Sequence, residues 1–550
     1  MNAGPSAHVD TFARDSLPAR ENWPNIEFTI EDVQYPSSLN AATALIDEAV
    51  ALYGPDRVCL RVPDGRSWTY GEVLAGANQI AHVLKQDLGI VPGNRVVLRG
   101  PNSPWMAMCW LGVLKTGAIA VSVMHVLRAT ELNPIVSATQ AQLALCDERF
   151  VEDLIGAAPE LLPTDRIVSF SAADGPNDAA DGDLGRLMKG KPTTHDDVKT
   201  VADDVALFAP TSGTTGKPKI TVHFHRDILA NADTFARHVL KPTPEDLFTG
   251  SPPLAFTFGL GGLLVFPIRF GAASLLIERA TPVELAELVH EFGATVLFTA
   301  PTAYRAIVRA EKAALLGGVR RAVSAGEHLP ESVWHEIEDA TGLQLINGIG
   351  STELLHIFIS AADEHIRPGS TGRAVPGYRT TILDAEGNEL PPGELGRLAV
   401  IGPTGCRYLH GDRQGNYVSQ GWNVTGDTFR RDEDGYYWYE ARSDSMIVSS
   451  GYNIGAPEVE DALARHGDVI ESAVIGKPDV ARGSIVVAYV VLREGVTADD
   501  AKRKELQDFV KQTIAPYKYP REIHFAESLP RNPSGKLQHF KLREQLDLQS

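Results

Sequence analysis

Between about Arg95 and Gly350 the chain alternates short aliphatic and β-branched runs with segments of helical periodicity. The runs are RVVLRG, AIAVSV, QLALCD, RIVSF, VALFAP, SLLIE, TVLFTAP and RAVSAG, and PVELAELVHEFG is typical of the segments between them. Continuously apolar strands spaced by helices are the pattern of parallel sheets covered on both faces. From Tyr378 to Ile401 the texture changes to YRTTILD, a turn at Glu386 to Asn388 and GRLAVIG, which predicts antiparallel β structure. After about Asp444 come a helix at PEVEDALARH, strands at ESAVIG and SIVVAYVVL, a charged helix at ADDAKRKELQDFVKQ and a last strand at REIHFAE. The expected class is α/β. A large N-terminal domain of parallel αβα sheets spans 1–443, with a small β-barrel-like subdomain at about 378–440, and a small α+β domain spans 444–550. No internal repeat is visible, and SAADGPNDAADGDLG at 171–185 is expected to be a surface loop.

Charge and composition narrow the function. Fifty-one basic against 70 acidic side chains give a formal charge of −19 over 550 residues, spread along the chain. A general binder of nucleic acid or anionic membrane should carry a basic footprint, so both are disfavoured, and an anionic ligand must be met by local donors. Cys59, Cys109, Cys146 and Cys406 lie far apart with no CxxC pair, which fits a reducing compartment and gives no zinc spacing. The N-terminus lacks a signal-peptide pattern and the C-terminal DLQS is no targeting address, so cytoplasm is expected. The most apolar stretch, Leu254 to Ile268, is broken by three glycines and a proline and is shorter than the roughly 20 residues that span a bilayer. It reads as core.

The sharpest local signal is Thr211-Ser212-Gly213-Thr214-Thr215-Gly216-Lys217-Pro218-Lys219, directly after VALFAP. Glycines let backbone N–H groups approach an anion, hydroxyls add rotatable donors, and lysine adds charge, so the segment suits a phosphate cradle. A Walker A loop is disfavoured: it needs glycine where the chain has Thr211 and Ser or Thr where it has Pro218.

TSGTTGKPK resembles the signature loop of the adenylate-forming superfamily of acyl-CoA synthetases, peptide-synthetase adenylation domains and luciferases. Further motifs follow in that family's order: NGIGSTE at 347–353, GELGRL at 393–398, GWNVTGD at 421–427, DGYYWYEARSD at 434–444 and PRNPSGK at 530–536. The resemblance covers nearly the whole chain and implies ATP, Mg²⁺ and coenzyme A as cofactors, with a small carboxylic acid as substrate. It implies that Thr211 to Lys217 envelop the β- and γ-phosphates, that Thr352 contacts the α-phosphate, and that Glu353 holds Mg²⁺. It assigns Gly326 and Glu327 to the loop facing adenine, Asn347 to its amino group, and Gly348, Ile349, Gly350 and Ser351 to the same nucleotide site. Asp427, Tyr439 and Arg442 become ribose contacts. Lys536 becomes the catalytic lysine of adenylate formation, acting with Thr352 and Glu353. Asp444 becomes the hinge of a mobile C-terminal domain, and Ser449, Ser450, Gly451 and Tyr452 the wall of a pantetheine tunnel. Basic residues Lys502, Arg503, Lys504, Lys511, Lys518 and Arg521 are candidates for the CoA phosphates, with a solvated helix face expected for most.

Phe256, Phe258, Gly259 and Gly350 are expected to line the acyl pocket. FTFGLG, HFHRD, NGIGSTELLHIF and GYNIGAPEVE are similar to the benzoate and 2-aminobenzoate CoA ligase branch, which implies a small aryl acid held by an aromatic wall. His223 and His225, two apart on an expected strand, would share a face, yet an already ionised carboxylate needs no base. Ile220 and Ala441 stand where the family usually has glycine, and a φ above zero at either would be costly. The function expected is an ATP-dependent aryl acid–CoA ligase. A medium-chain acyl-CoA synthetase, an adenylating enzyme that loads a carrier protein, a luciferase-like oxygenase and a nucleotide sensor are the rivals, and a homodimer is left open.

Overall fold

The computed structural model describes residues 5–171, 183–211, 218–326, 329, 331–411, 413–442, 446–530, 541–543 and 546. Each of the eight apolar runs contains a strand. Six strands form one sheet in the order Ile167–Phe170, Leu143–Asp147, Arg95–Arg99, Ile119–Val123, Val205–Thr211 and Lys219–Phe224, all parallel except the last. A nine-stranded sheet is built on six parallel strands: Leu345–Gly350, Arg321–Ser324, Val296–Thr299, Leu247–Gly250, Ala273–Leu275 and Val58–Arg61. Antiparallel strands close both of its edges. Helices cover the sheets as the sequence pattern requires. Pro282–Phe292 shows how local chemistry sets their limits: Thr281 and Glu284 form a capping box, Pro282 takes the first turn, and Gly293 ends the helix at φ 67°.

The β-rich region is a five-stranded antiparallel sheet whose long strand, Trp422–Arg431, pairs with Leu395–Ile401, Val418–Ser419 and Tyr437–Arg442. The C-terminal unit has its own five-stranded sheet, with helices Ala456–Ala464 and Asp500–Thr513 and a core that includes Ile454, Val459, Leu463, Val486, Leu506 and Val510. Because that core is separate from those of the large unit, the two units can part without either unfolding.

Three local readings change. Of the expected loop at 171–185, residues 172–182 lie outside the described residues, and Asp183 opens the helix Asp183–Met188. His223 and His225 do not share a strand face: Asp227 accepts the Phe224 N–H at 3.0 Å and starts a helix at His225. Ile220 and Ala441 both lie in β-strands, where any L-residue is comfortable, so neither strains the backbone. Among the described residues no helix is long and apolar enough to cross a membrane, and of the stretch Leu254 to Ile268, Leu254 and 259–268 are buried in the core while 255–258 are half-buried.

Candidate active site

The signature loop joins two antiparallel strands, Val205–Thr211 and Lys219–Phe224, and the register sets Thr211 opposite Lys219. Ser212, Gly213, Thr214, Thr215, Gly216 and Lys217 lie outside the described residues, but the loop's two ends are therefore side by side, and Thr211 and Pro218 border the main cavity. Lys219 Nζ lies 5.5 Å from the centre of the Tyr408 ring. The Tyr408 hydroxyl donates to Glu353 Oε1 at 2.5 Å, and Tyr417 pairs its hydroxyl with Ser351 Oγ at 2.9 Å. Burial, reinforced by the Glu353 carboxylate, pushes both phenols far above the ordinary tyrosine range, so both stay protonated donors. Sequence reasoning missed this pair. Neither tyrosine belongs to a local motif, and Tyr408 reaches Glu353 across 55 positions of chain. Tyr408→Phe frees Glu353 from its orienting donor. It is expected to lower adenylate formation about ten-fold and raise the Mg²⁺ concentration required, with thermal stability little changed; a Mg²⁺ titration of pyrophosphate release checks this.

Thr352 opens a short helix, Thr352–Leu354, capped by the Ser351 side chain. Its carbonyl accepts from His223 Nε2 at 2.8 Å. Burial lowers the His223 pKa to about 4, so the ring is neutral and Nε2 carries its proton. Beneath it Asp227 and Arg407, both fully buried, pair at 2.9 Å. This network anchors the Thr352–Glu353 segment to the strand that leaves the signature loop.

Gly326, Gly350, Ser351 and Thr352 border the same cavity. Asn347 donates its amide N–H to Ser370 O at 3.1 Å, which leaves its acceptor oxygen for an incoming N–H donor. Gly348 and Ile349 carry the strand Leu345–Gly350 past its antiparallel neighbour, and Ile349 packs on the core. Asp427 stands directly across from Arg442, and Phe429 across from Tyr439, whose ring meets Phe429 edge-on at 5.4 Å. Two ribose candidates 15 positions apart in sequence are thus cross-strand partners. The Arg442 side chain, Glu327, Asp444 and Lys536 lie outside what the structure describes.

The cavity has a volume of about 790 Å³. Phe256, Phe258, His356 and Gly350 line one part of it. Phe258 meets the rings of Phe298 and His356 at 5.5 Å each, and Phe266 meets His356 at 4.7 Å. His356 is fully enclosed. Its Nε2 lies 3.3 Å from Phe258 O, burial lowers its pKa to about 3, and Nδ1 has no partner. Gly259 does not border the cavity. A Cβ there would lie 2.1 Å from Pro253 O, so its bareness serves the packing of the helix Thr257–Leu260 against the Pro252–Pro253 turn.

The small unit supplies the opposite wall. Its hairpin of Met446–Ser449 and Tyr452–Gly455 turns through Ser450 at φ 49° and Gly451 at φ 80°, the pair of positive φ values of a type I′ turn. A Cβ on Gly326 would come 3.9 Å from Gly451 Cα. Ser450, Gly451 and Tyr452 border the cavity, and Tyr452 faces Phe256 at 6.4 Å; Ser449 is buried behind them. Gly451→Val, which combines a strained φ with bulk at this seam, is expected to cut thioester formation at least about ten-fold while sparing adenylate formation; separate assays of the two half-reactions read this directly. The C-terminal basic residues are mostly committed elsewhere: Lys502 to Asp468 and Glu505, Arg503 to Asp500, Lys511 to Asp508, Arg521 to Tyr519, while Lys504 is exposed. Arg465 and Arg482 border the cavity instead.

Residues 46–408 match the family description AMP-binding enzyme, and residues 458–536 match the AMP-binding enzyme C-terminal domain. The chain belongs to the AMP-binding enzyme family. It is 32% identical to a benzoate–CoA ligase of Thauera aromatica over 520 residues, 93% of this chain and 97% of that protein. It is 31% identical to the human mitochondrial acyl-coenzyme A synthetase ACSM3 over 491 residues, 87% and 83% of the two chains. Its fold matches the crystal structure of the anthranilate CoA ligase AuaEII in complex with anthranoyl-AMP, with a TM-score of 0.71, 32% identity and coverage of 94% and 99%. The protein is an AMP-forming acid–CoA ligase of this family, dependent on ATP, Mg²⁺ and CoA. The donor set fits the metal: Tyr408 engages only Oε1 of Glu353, and a carboxylate oxygen is the hard ligand that Mg²⁺ prefers.

Proposed function

We propose that the protein converts a small aromatic acid of the benzoate or 2-aminobenzoate type to its CoA thioester through an acyl-adenylate. The observation that carries this is the aromatic end of the cavity, where Phe256, Phe258 and His356 offer flat, uncharged walls suited to a ring. A carboxylate is a poor acyl donor because its leaving group would be oxide. In the first step a carboxylate oxygen attacks the α-phosphorus of ATP and pyrophosphate leaves; in the second the CoA thiol attacks the acyl carbon and AMP leaves with that oxygen.

The residues take the following parts. Thr211 and the loop to Lys217 hold the departing phosphates, and Thr352 meets the α-phosphate. Asn347 accepts the adenine amino group beside the Gly326–Glu327 and Gly348–Ser351 segments. Asp427, with Tyr439 and Arg442, fixes the ribose. Glu353, steadied by Tyr408, would hold Mg²⁺, which when bound offsets the charge of the nucleotide phosphates. Lys536 serves the first step. A turn of the small unit about Asp444 brings Ser449 to Tyr452 to the cavity for the second. Residues 1–443 and 444–550 act as the two domains of this cycle, and the cytoplasm is the proposed location.

His356 refines the choice of acid. With Nε2–H directed at Phe258 O and Nδ1 sealed from solvent, the neutral imidazole closes the aromatic end as a flat, uncharged wall, which favours an uncharged ring. Pyrophosphate release is the test, with benzoate, 2-aminobenzoate, phenylacetate, cinnamate and medium-chain fatty acids, each with and without CoA. CoA-dependent turnover greatest for 2-aminobenzoate or benzoate supports the reading. A preference for fatty acids assigns the chain to the medium-chain class, and adenylation that CoA cannot discharge points to a carrier protein as acceptor.

A further inference from the structure

Among the described residues the small unit touches the large one through few polar contacts, and one of them is both charged and buried. Lys518, 3% exposed, places Nζ 2.7 Å from Glu131 Oε1 on the large unit and 2.6 Å from Glu458 Oε1 on its own. Glu131 is held from its own side, because Oε2 accepts the Arg128 N–H at 3.0 Å in the capping box of the helix Ala129–Thr139. Lys518 also lies 5.6 Å from the Tyr517 ring, which stacks on Tyr452 at 4.1 Å. The charged cluster is thereby in contact with the aromatic wall that faces Phe256. Close by, Thr130 Oγ1 donates to Thr513 O at 3.1 Å across the same seam.

A cavity walled by two units admits a nucleotide and releases a product only if the units part. From this geometry we infer that Glu131, Lys518 and Glu458 form a proton-linked clamp that holds the small unit closed for the CoA-dependent step, with Glu131 and Lys518 as positioning residues. The inference rests on the ligase reading above. Two carboxylates share one ammonium, so the closed cluster carries a surplus negative charge unless one carboxyl is protonated. Burial raises the Glu458 pKa to about 7 from an ordinary 4.5; the Lys518 ammonium pulls it down, and Glu131, by its hydrogen bond and its charge, adds to the rise. Tyr517 faces the cluster as a neutral phenol raised by burial, with Tyr452 stacked on it; the Arg128 guanidinium is turned to Asp153, and Arg465 borders the same cavity. When the units part, Glu458 returns to water and its raised affinity for a proton is lost. Closure therefore takes up a proton. It is favoured as pH falls from above 7 towards 4.5, and is opposed by the surplus charge above pH 7.

Two Glu-to-Gln substitutions should act in opposite senses. Glu131→Gln removes the attraction between the units. It is expected to leave acid-dependent ATP–pyrophosphate exchange within about two-fold of the parent and to lower thioester formation from supplied acyl-adenylate about ten-fold. Glu458→Gln fixes the neutral form and keeps the Glu131–Lys518 pair, so it should retain thioester formation at pH 8. The native cysteines are all buried, so dyes on Glu160→Cys and Thr497→Cys report closure by energy transfer. Closure should rise in the parent between pH 8 and pH 6 and be flat in Glu458→Gln. Parallel changes in both half-reactions for Glu131→Gln, or the same pH response in Glu458→Gln as in the parent, would overturn the clamp. Silence of the parent in exchange across all acids would instead count against the ligase reading, and the energy-transfer titration would still decide the clamp.

Discussion

Lys536→Ala is expected to lower acid-dependent ATP–pyrophosphate exchange about 100-fold or more, while thioester formation from supplied acyl-adenylate stays within a few-fold of the parent. In the first half-reaction negative charge from carboxylate and triphosphate converges at one phosphorus, and a positioned cation stabilises that convergence. In the second the thiol attacks a carbonyl whose leaving group is already made, and the Ser450–Gly451 turn occupies the seam beside Gly326. Two parts of the small unit thus serve two steps. An equal loss in both would contradict the division of labour, since a merely structural lysine would damage both alike.

The second large effect is on stability. His223, His225 and His356 are fully enclosed and neutral, with pKa values lowered by burial from 6.5 to about 4, about 3 and about 3. Unfolded, each ring regains its ordinary pKa and binds a proton that the native state refuses. Stability attributable to these rings is therefore intact above pH 6.5 and falls with pH through the window from 6.5 towards the native values. Each ring accounts for about 2 kcal/mol lost between pH 7 and pH 5, so together they account for on the order of 6 kcal/mol. Urea unfolding of the protein at the two pH values measures this. His225 Nδ1 accepts the Ala41 N–H at 3.0 Å, and the Oδ1 of an asparagine can take that bond. His225→Asn should thus remove about a third of the loss, and a stability independent of pH in this window would refute the assignment.

Sequence periodicity carried the fold because the parallel strands are mostly apolar and almost continuously buried, as in Arg95–Arg99, Ile119–Val123 and Leu143–Asp147. It failed where one residue changes the local decision. HFHRD reads as a strand until Asp227 is seen to cap a helix at His225. Within the site, the residues on contiguous motifs were legible: Thr211, Gly350 to Glu353, and the strand that sets Asp427 against Arg442. Tyr408 and Tyr417 were not, because they reach the site by tertiary contact and no spacing marks them, and His356, though inside NGIGSTELLHIF, was not singled out there. Lys518 and Glu131 meet across 387 positions, and a lysine in the short turn after a charged helix reads as surface until the large unit covers it. Gly259 was read as pocket where its bareness serves a backbone approach instead.

The most direct measurement uses the preferred acid labelled with ¹⁸O in both carboxylate oxygens, with mass spectrometry of all products after turnover with ATP and CoA. An acyl-adenylate path transfers one labelled oxygen to AMP and leaves the other in the thioester. Label in pyrophosphate or inorganic phosphate, or AMP without label, would contradict the account.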